Sequence, residues 1–330
     1  MSKSLSQVAL SVLDLVTYPE GGTIPQAIRH SRELARHCER LGYKRYWVAE
    51  HHNLDGIASS ATVVLMAYLA GATQTIRVGS GGIMLPNHAP LVVAEQVGTL
   101  EAIFPDRIDL GLGRAPGTDP LTMRALRRGN QEDDFAVLVA ELEGYFAPAM
   151  PGQAVKAIPG AGAHVPIYIL GSSLYSAHLA AKLGRPYAFA SHFAPGDLLE
   201  ALRIYRAEFK PSAHLAQPYV MVGVPAMAAA TDDEAEYVAT SMYQRSLAIL
   251  KGQRRPIPPP VSTMEWSQAE QHAVADRMAL MVVGGPARVR EGLQQIVDGT
   301  GADELVLVSD AYRHEARMTS YEVLMQAARG

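Results

Sequence analysis

The sequence predicts an α/β fold, a (β/α)8 barrel formed by residues 1–330 as a single domain. Three observations carry this. Apolar runs of strand length begin near residues 8, 46, 76, 107, 166, 187, 219 and 304, and helix-period segments lie between them. Such alternation implies parallel strands joined by right-handed crossovers. The runs are apolar nearly throughout, as strands buried on both faces should be. Polar or glycine-bearing loops follow their carboxyl ends, where α/β folds place ligands. Eight units suggest a closed barrel; an open doubly wound sheet shares the alternation and is the structural rival.

Composition narrows the class. The chain has 330 residues, 48% of them hydrophobic and 19% charged, which is ample for a large core. The net charge of −4 comes without blocks of like charge, so nothing draws the chain to nucleic acid or an anionic membrane. The single cysteine, Cys38, excludes an internal disulfide and fits a reducing compartment. No apolar run approaches the roughly 20 residues that cross a bilayer, and residues 1–15 do not read as a signal peptide. A soluble cytoplasmic protein is expected.

Taken in order, residues 8–13 form the first strand, and a polar and aromatic loop follows. Thr23 and Gln26 have capping-box spacing for the first helix, and Gly42 sits where a left-handed C-terminal cap belongs. Residues 46–49 are the second strand, ending in Glu50-His51-His52. A helix of small and apolar residues spans 61–72. Residues 76–78 enter the glycine cluster 79–82, and Ile83 begins a further short apolar run that stops at Pro86. Residues 92–104 are helix-periodic, with Val93, Val97 and Leu100 on one face. Residues 107–112 run into Gly113-Arg114. A helix is predicted over 133–145, and a Pro/Gly/Ala-rich surface excursion over 148–162. Strand 166–170 leads through Gly171-Ser172-Ser173 into helix 175–183, capped by Gly184. Strand 187–190, helix 198–209, strand 219–224 and helix 232–250 follow. The proline-rich stretch 251–271 reads as a long mobile loop or lid. Helix 288–297, with Gly299 past its end, strand 304–308 and a terminal helix complete the chain.

Several residues carry chemistry. Adjacent strand residues point to opposite faces, so only one of His51 and His52 enters the barrel mouth. A metal site on neighbouring histidines is therefore awkward, and no HExxH or Cys–His cluster occurs: no metal is expected. The bland reading is one structural and one exposed histidine. The functional reading is acid–base work by an imidazole at a strand's carboxyl end. Gly111-Leu112-Gly113-Arg114-Ala115-Pro116 imitates a dinucleotide fingerprint, but the third glycine falls on Pro116 and no helix follows at once. Arg114 remains, a permanent cation suited to a phosphate. Ser172 and Ser173 precede a helix and serve either as plain N-caps or as part of a phosphate site. The cluster Gly79-Ser80-Gly81-Gly82 allows close backbone approach to a flat ligand, or else marks a β-bulge or barrel packing.

Together these segments resemble the bacterial luciferase-like flavin monooxygenase superfamily over nearly the whole chain. The pieces are YWVAEHH (46–52), VGSGGIMLPNHAP (78–90), RIDLGLGRAPG (107–117), PIYILGSSLYSA (166–177) and GADELVLVS (301–309). The resemblance implies a TIM barrel with an insertion or lid at 251–281. It also implies reduced FMN and molecular oxygen as reactants, with oxygen adding at the flavin C4a position and the organic substrate small. Without a second nucleotide motif, FMNH2 would come from a separate flavin reductase. By position, Gly81 and Gly82 match a non-proline cis peptide beneath the flavin. Arg114, Ser173 and Ser176 match phosphate-binding positions, with Ser172 offering a backbone amide, and His51 matches the catalytic histidine. Gly113 stands where luciferase has a reactive cysteine, and Ser172 where a glutamate lies at the phosphate site. A homodimer is implied, paired through helices 61–72 and 92–104. A deazaflavin-dependent hydride-transfer enzyme and a non-catalytic flavin-binding protein are the alternatives on the same barrel.

Overall fold

In the computed structural model, which describes residues 3–126 and 134–330, eight parallel strands close into a barrel. They are β1 (Ala9–Asp14), β2 (Arg45–Val48), β3 (Arg77–Met84), β4 (Ile108–Gly113), β5 (Ile167–Gly171), β6 (Tyr187–Phe189), β7 (Val220–Ala228) and β9 (Glu304–Val308). Each pairs with the next, β7 pairs with β9, and β9 returns to β1. Closure decides against the open sheet. One further strand, β8 (Val282–Gly284), pairs only with the far end of β7, at Ala226–Ala228, and stays outside the closed ring. It was not foreseen, because three residues carry no readable period.

The helices between the strands are α1 (Ile24–Leu41), α2 (Thr62–Ala70), α3 (Pro90–Ile103), α4 (Pro120–Ala125), α5 (Phe135–Phe146), α6 (Leu174–Leu183), α7 (Leu198–Glu208), α8 (Asp232–Leu250), α9 (Gln268–Arg277), α10 (Pro286–Thr300) and α11 (His314–Arg329). Local chemistry explains their ends. Thr23 accepts from the Gln26 amide at the start of α1, and Gly42 and Gly184 take left-handed backbone after α1 and α6. Two helix limits differ from expectation. Helix α10 runs on to Thr300 and is closed by Gly301 at φ 60°, so Gly299 lies inside it. The expected start of α5 at 133 lies outside the described residues; the helix begins at Phe135 with Asp134 as its cap. No helix among the described residues is long and apolar enough to cross a membrane.

The barrel interior has two levels. At the amino-terminal end Arg45 is buried among acids. Its guanidinium donates to both Glu304 oxygens (2.7 and 3.1 Å), to Asp109 Oδ2 (2.7 Å) and to the Tyr168 hydroxyl (2.7 Å). Burial alone would raise the Glu304 carboxyl, but Arg45 and Lys44 hold it below its ordinary value. Above this polar plug sits an apolar layer that includes Leu13, Trp47, Met221 and Val306. A Cβ on Gly79 would lie 2.8 Å from Trp47 Nε1, so this glycine makes room for the indole. The plug seals one end, and the opposite end, at the strand carboxyl termini, holds the candidate site.

The segment 251–281 was expected as a mobile loop or lid. It is stitched to the barrel mouth. Ile257 and the loop after β1 exchange backbone hydrogen bonds: Glu20 N donates to Ile257 O at 2.8 Å, and Ile257 N donates to Tyr18 O at 3.0 Å. Its second half is a helix, α9, opened by a reciprocal cap between Ser267 and Glu270. The polar composition of 268–277 hid that helix, although the Ser-x-x-Glu signature was present.

Candidate active site

β2 ends at Val48, so His51 and His52 lie just beyond it on consecutive positions of the loop rather than in the strand. Inward-facing residues run Arg45, Trp47, Ala49, and the next in that series is His51. Glu50 and His52 face the other way. His52 Nε2 lies 2.9 Å from Glu50 Oε1. Glu50 is buried and is the centre of a hub: His88 Nε2 lies 2.9 Å from Oε2, Asn87 Nδ2 donates to Oε1 at 3.0 Å, and the Met84 amide donates to Oε2 at 3.0 Å. Burial would raise the Glu50 carboxyl, yet these donors hold it below its usual range. The hub ties the end of β2 to the end of β3, so it fixes His51 and the glycine cluster relative to each other. Sequence reading missed it, because His88 is 38 positions from Glu50.

The His51 backbone is pinned on both sides. Its amide donates to Ser59 O at 2.8 Å, and Ser60 Oγ donates to His51 O at 2.7 Å. Burial pushes its imidazole down to about 4, helped by the nearby positive charge of Arg245. The ring is therefore neutral near pH 7 and able to accept a proton.

At the end of β3 the peptide bond between Gly81 and Gly82 is cis, and the register against β4 shifts between Ser80 and Ile83. The register shift fits the β-bulge reading of this cluster, and the cis bond falls where the resemblance places one. Ser80 mends the broken ladder: its hydroxyl donates to Gly111 O at 2.8 Å and accepts from Gly111 N at 3.0 Å. A Cβ on Gly82 would approach Gly111 O to 2.8 Å, so only glycine fits.

The phosphate candidates converge between β4 and β5. Arg114 follows β4, and its guanidinium lies over the Tyr175 ring, 4.3 Å from the centroid. Tyr175 is in the first turn of α6. Ser173 is the N-cap of α6, but its side chain makes no cap hydrogen bond. The plain N-capping alternative therefore does not describe this helix. No cap side chain occupies its first-turn amides, and the cation of Arg114 stands over Tyr175 of the same turn, which suits a phosphate. Ser172 lies half-buried between β5 and α6. Ser176 is buried, and its hydroxyl donates to Ser173 O at 2.7 Å and lies 3.0 Å from the Tyr187 hydroxyl. It shapes the turn, and a Cβ on Gly171 would meet its oxygen at 2.4 Å.

Four further residues belong to this mouth and were not singled out in the sequence. His192 follows β6; its Nδ1 is buried with no partner and packs over Gly223. Burial pushes its imidazole down to about 4. Asp310 follows β9 and accepts from Arg245 Nη1 at 2.8 Å and from Thr17 Oγ1 at 2.9 Å. Arg277 ends α9 and lies over the Phe193 ring at 5.3 Å. His192 was legible by its place at a strand end; the arginines, on helices, were not.

A closed parallel barrel with its polar groups gathered at the strand carboxyl ends is a TIM-barrel enzyme. The family model for luciferase-like monooxygenase matches residues 9–304. A "Luciferase-like monooxygenase" of Escherichia coli (strain K12) is 50% identical over 322 residues, covering 96% of each chain. The crystal structure of apo-MsnO8 is similar at a TM-score of 0.88 and 37% identity, covering 98% of each chain. The FMN complex of the oxygenating constituent of 3,6-diketocamphane monooxygenase, from Pseudomonas putida, shares the fold at a TM-score of 0.73 and 17% identity, covering 99% of this chain and 97% of that one. The chain belongs to the luciferase-like monooxygenase family, an enzyme of the flavin-dependent monooxygenase and oxidoreductase class.

Proposed function

We propose that this protein is an FMN-dependent monooxygenase that receives FMNH2 from a separate reductase and uses O2 to oxygenate a small organic substrate. The observation that carries this reading is the uncapped start of α6 beside Arg114, held there by Tyr175. A dianionic phosphate there meets a fixed cation and free amides at once.

The chain's own groups fit the cofactor. Arg114, Ser172 and Ser173 would hold the phosphate, Ser176 would keep their turn in shape, and Gly81 and Gly82 would let the ring system approach the backbone. Bound reduced flavin supplies the electrons by which one atom of O2 enters the substrate and the other leaves as water. His51, neutral and fixed at the mouth, would accept and return the proton that this reaction moves. Residues 251–281, docked across the mouth, would exclude water from the centre. The protein would work in the cytoplasm as a homodimer, supplied with FMNH2 by transient contact with the reductase.

The test is Arg114→Ala, read by equilibrium binding of FMN and of riboflavin. Loss of a charge-assisted contact costs about 1.5–3 kcal/mol. FMN should weaken accordingly, and riboflavin, which lacks the phosphate, should be nearly unchanged. Equal weakening of both would show that Arg114 only supports the fold.

A further inference from the structure

The charges that α8 and α9 bring to the mouth do not cancel. Arg245 is satisfied: its guanidinium donates to Asp310 at 2.8 Å, and Thr17 occupies the other carboxylate oxygen. Asp310 is thereby used on both oxygens. Arg277 is half-buried and lies against Phe193. Among the described residues it makes no ion pair and no hydrogen bond. Stacking on a ring holds a guanidinium in place but leaves its five donors unused. Phe193 itself is 56% exposed, an open apolar surface next to an open cation.

Among the described residues, no carboxylate forms an ion pair with Arg277, and the charge that bears on it is that of Arg245. The positive charge of Arg245 reaches both His51 and Arg277, and that of Arg277 reaches His192. The geometry agrees: Arg277 stacks on Phe193, the residue after His192, and Arg245 pairs with Asp310 just after β9. Both imidazoles are neutral near pH 7 and add no charge, while Asp310 is already paired with Arg245 and lies 3.7 Å from Arg317. His192 adds a buried nitrogen, Nδ1, without a hydrogen-bond partner. A half-buried cation with no carboxylate partner among the described residues, stacked on an exposed aromatic face, is costly unless an anionic ligand compensates it.

We propose that the substrate carries a carboxylate, and that Arg277 binds it while Phe193 packs on the apolar part. The planar guanidinium fork matches a carboxylate and tells it from a neutral amide of the same shape. The anchor would hold the rest of the molecule at the mouth with His51 and His192. Arg277 belongs to the docked segment 251–281, so an anionic substrate would also fasten that segment over the centre. This assignment takes its reaction from the flavin monooxygenase reading, but the binding it describes is measurable without turnover.

The experiment uses the full chain, with and without oxidised FMN, in calorimetric titrations at pH 8. The probes are hexanoate against hexanamide, benzoate against benzamide, and N-acetylmethionine against its amide. At least one acid should bind about tenfold or more tightly than its amide. Arg277→Gln should remove that preference while leaving FMN affinity and melting temperature unchanged. Arg277→Lys, which keeps the charge and loses the fork, should retain only part of it. Equal binding within all three pairs, no binding of any acid at millimolar concentration, or a preference that survives in Arg277→Gln overturns the proposal. Should Arg277→Gln fail to fold, the wild-type pairs still decide. FMN binding without acid preference sinks this inference alone. Acid preference without FMN binding supports it and sinks the flavin reading instead.

Discussion

His51 and His52 differ by one position in the loop that follows β2 and turn to opposite sides. His52 is spent on Glu50, whereas His51 makes no ion pair among the described residues and has its backbone fixed by Ser59 and Ser60. Their opposite facing was legible from Glu50-His51-His52, because extended backbone alternates faces even where, as here, the strand ends at Val48. His51→Ala should leave FMNH2 binding intact and reduce product turnover by about 10²–10⁴-fold, the usual yield of general acid–base catalysis. A larger share of the oxygen consumed should then appear as hydrogen peroxide. His52→Ala should instead lower stability, since it strips a donor from the buried Glu50, and affect turnover less. Reversed severities in paired turnover and melting measurements would mean that the assignment of faces is wrong. The pH profile adds a second check. With its pKa pushed down to about 4, His51 should keep turnover flat from neutral pH to about 5 and let it fall as the ring protonates below that. A decline centred near 6.5, the value of an unperturbed imidazole, would place His51 in water.

At the scale of elements, the legible parts were those with a period and a capping residue. The eight barrel strands announced themselves as apolar runs, and α1, α6 and α8 lie close to where the sequence put them. What escaped was short, polar or non-local: β8 with three residues, α4 opened by Asp119, and α9 under a polar sequence. The polar plug escaped for another reason. Arg45 and Glu304 stand 259 positions apart, and only barrel closure brings them together. Removing one partner from such a buried network leaves an uncompensated charge, which costs about 3–5 kcal/mol. Arg45→Met should lower unfolding free energy by about this amount in urea. A change within the noise of the measurement would show that the strands close without the plug. Glu304 also gives a sign for acid. Its pKa is lower folded than unfolded, so its contribution is complete above the ordinary value of 4.5 and is lost as pH falls through the folded value.

At the scale of the whole molecule, the barrel puts every proposed functional group at one end and leaves its outer helices for other contacts. Val64 of α2 is 68% exposed and Ile103 of α3 is 59% exposed, more apolar surface than these helices need to cover their strands. A homodimer through this face should appear in light scattering at micromolar concentration, and a charge at both positions should dissociate it. A monomer for the unaltered protein would contradict that use of the face. The sequence showed the barrel and its functional end because both follow from strand order. It did not show the charge balance of the mouth, where Arg245, Arg277, His192 and Asp310 arrive from four different elements. This mouth is proposed to hold a reduced flavin and direct it to oxygen. The direct measurement is anaerobic titration with FMNH2 and, in parallel, with a reduced deazaflavin coenzyme, each followed by a pulse of oxygen. Saturable binding of FMNH2, weak or no binding of the deazaflavin, and oxygen consumption by the FMNH2 complex are expected. Tight deazaflavin binding with no oxygen consumed would contradict the proposal and assign the barrel to hydride transfer.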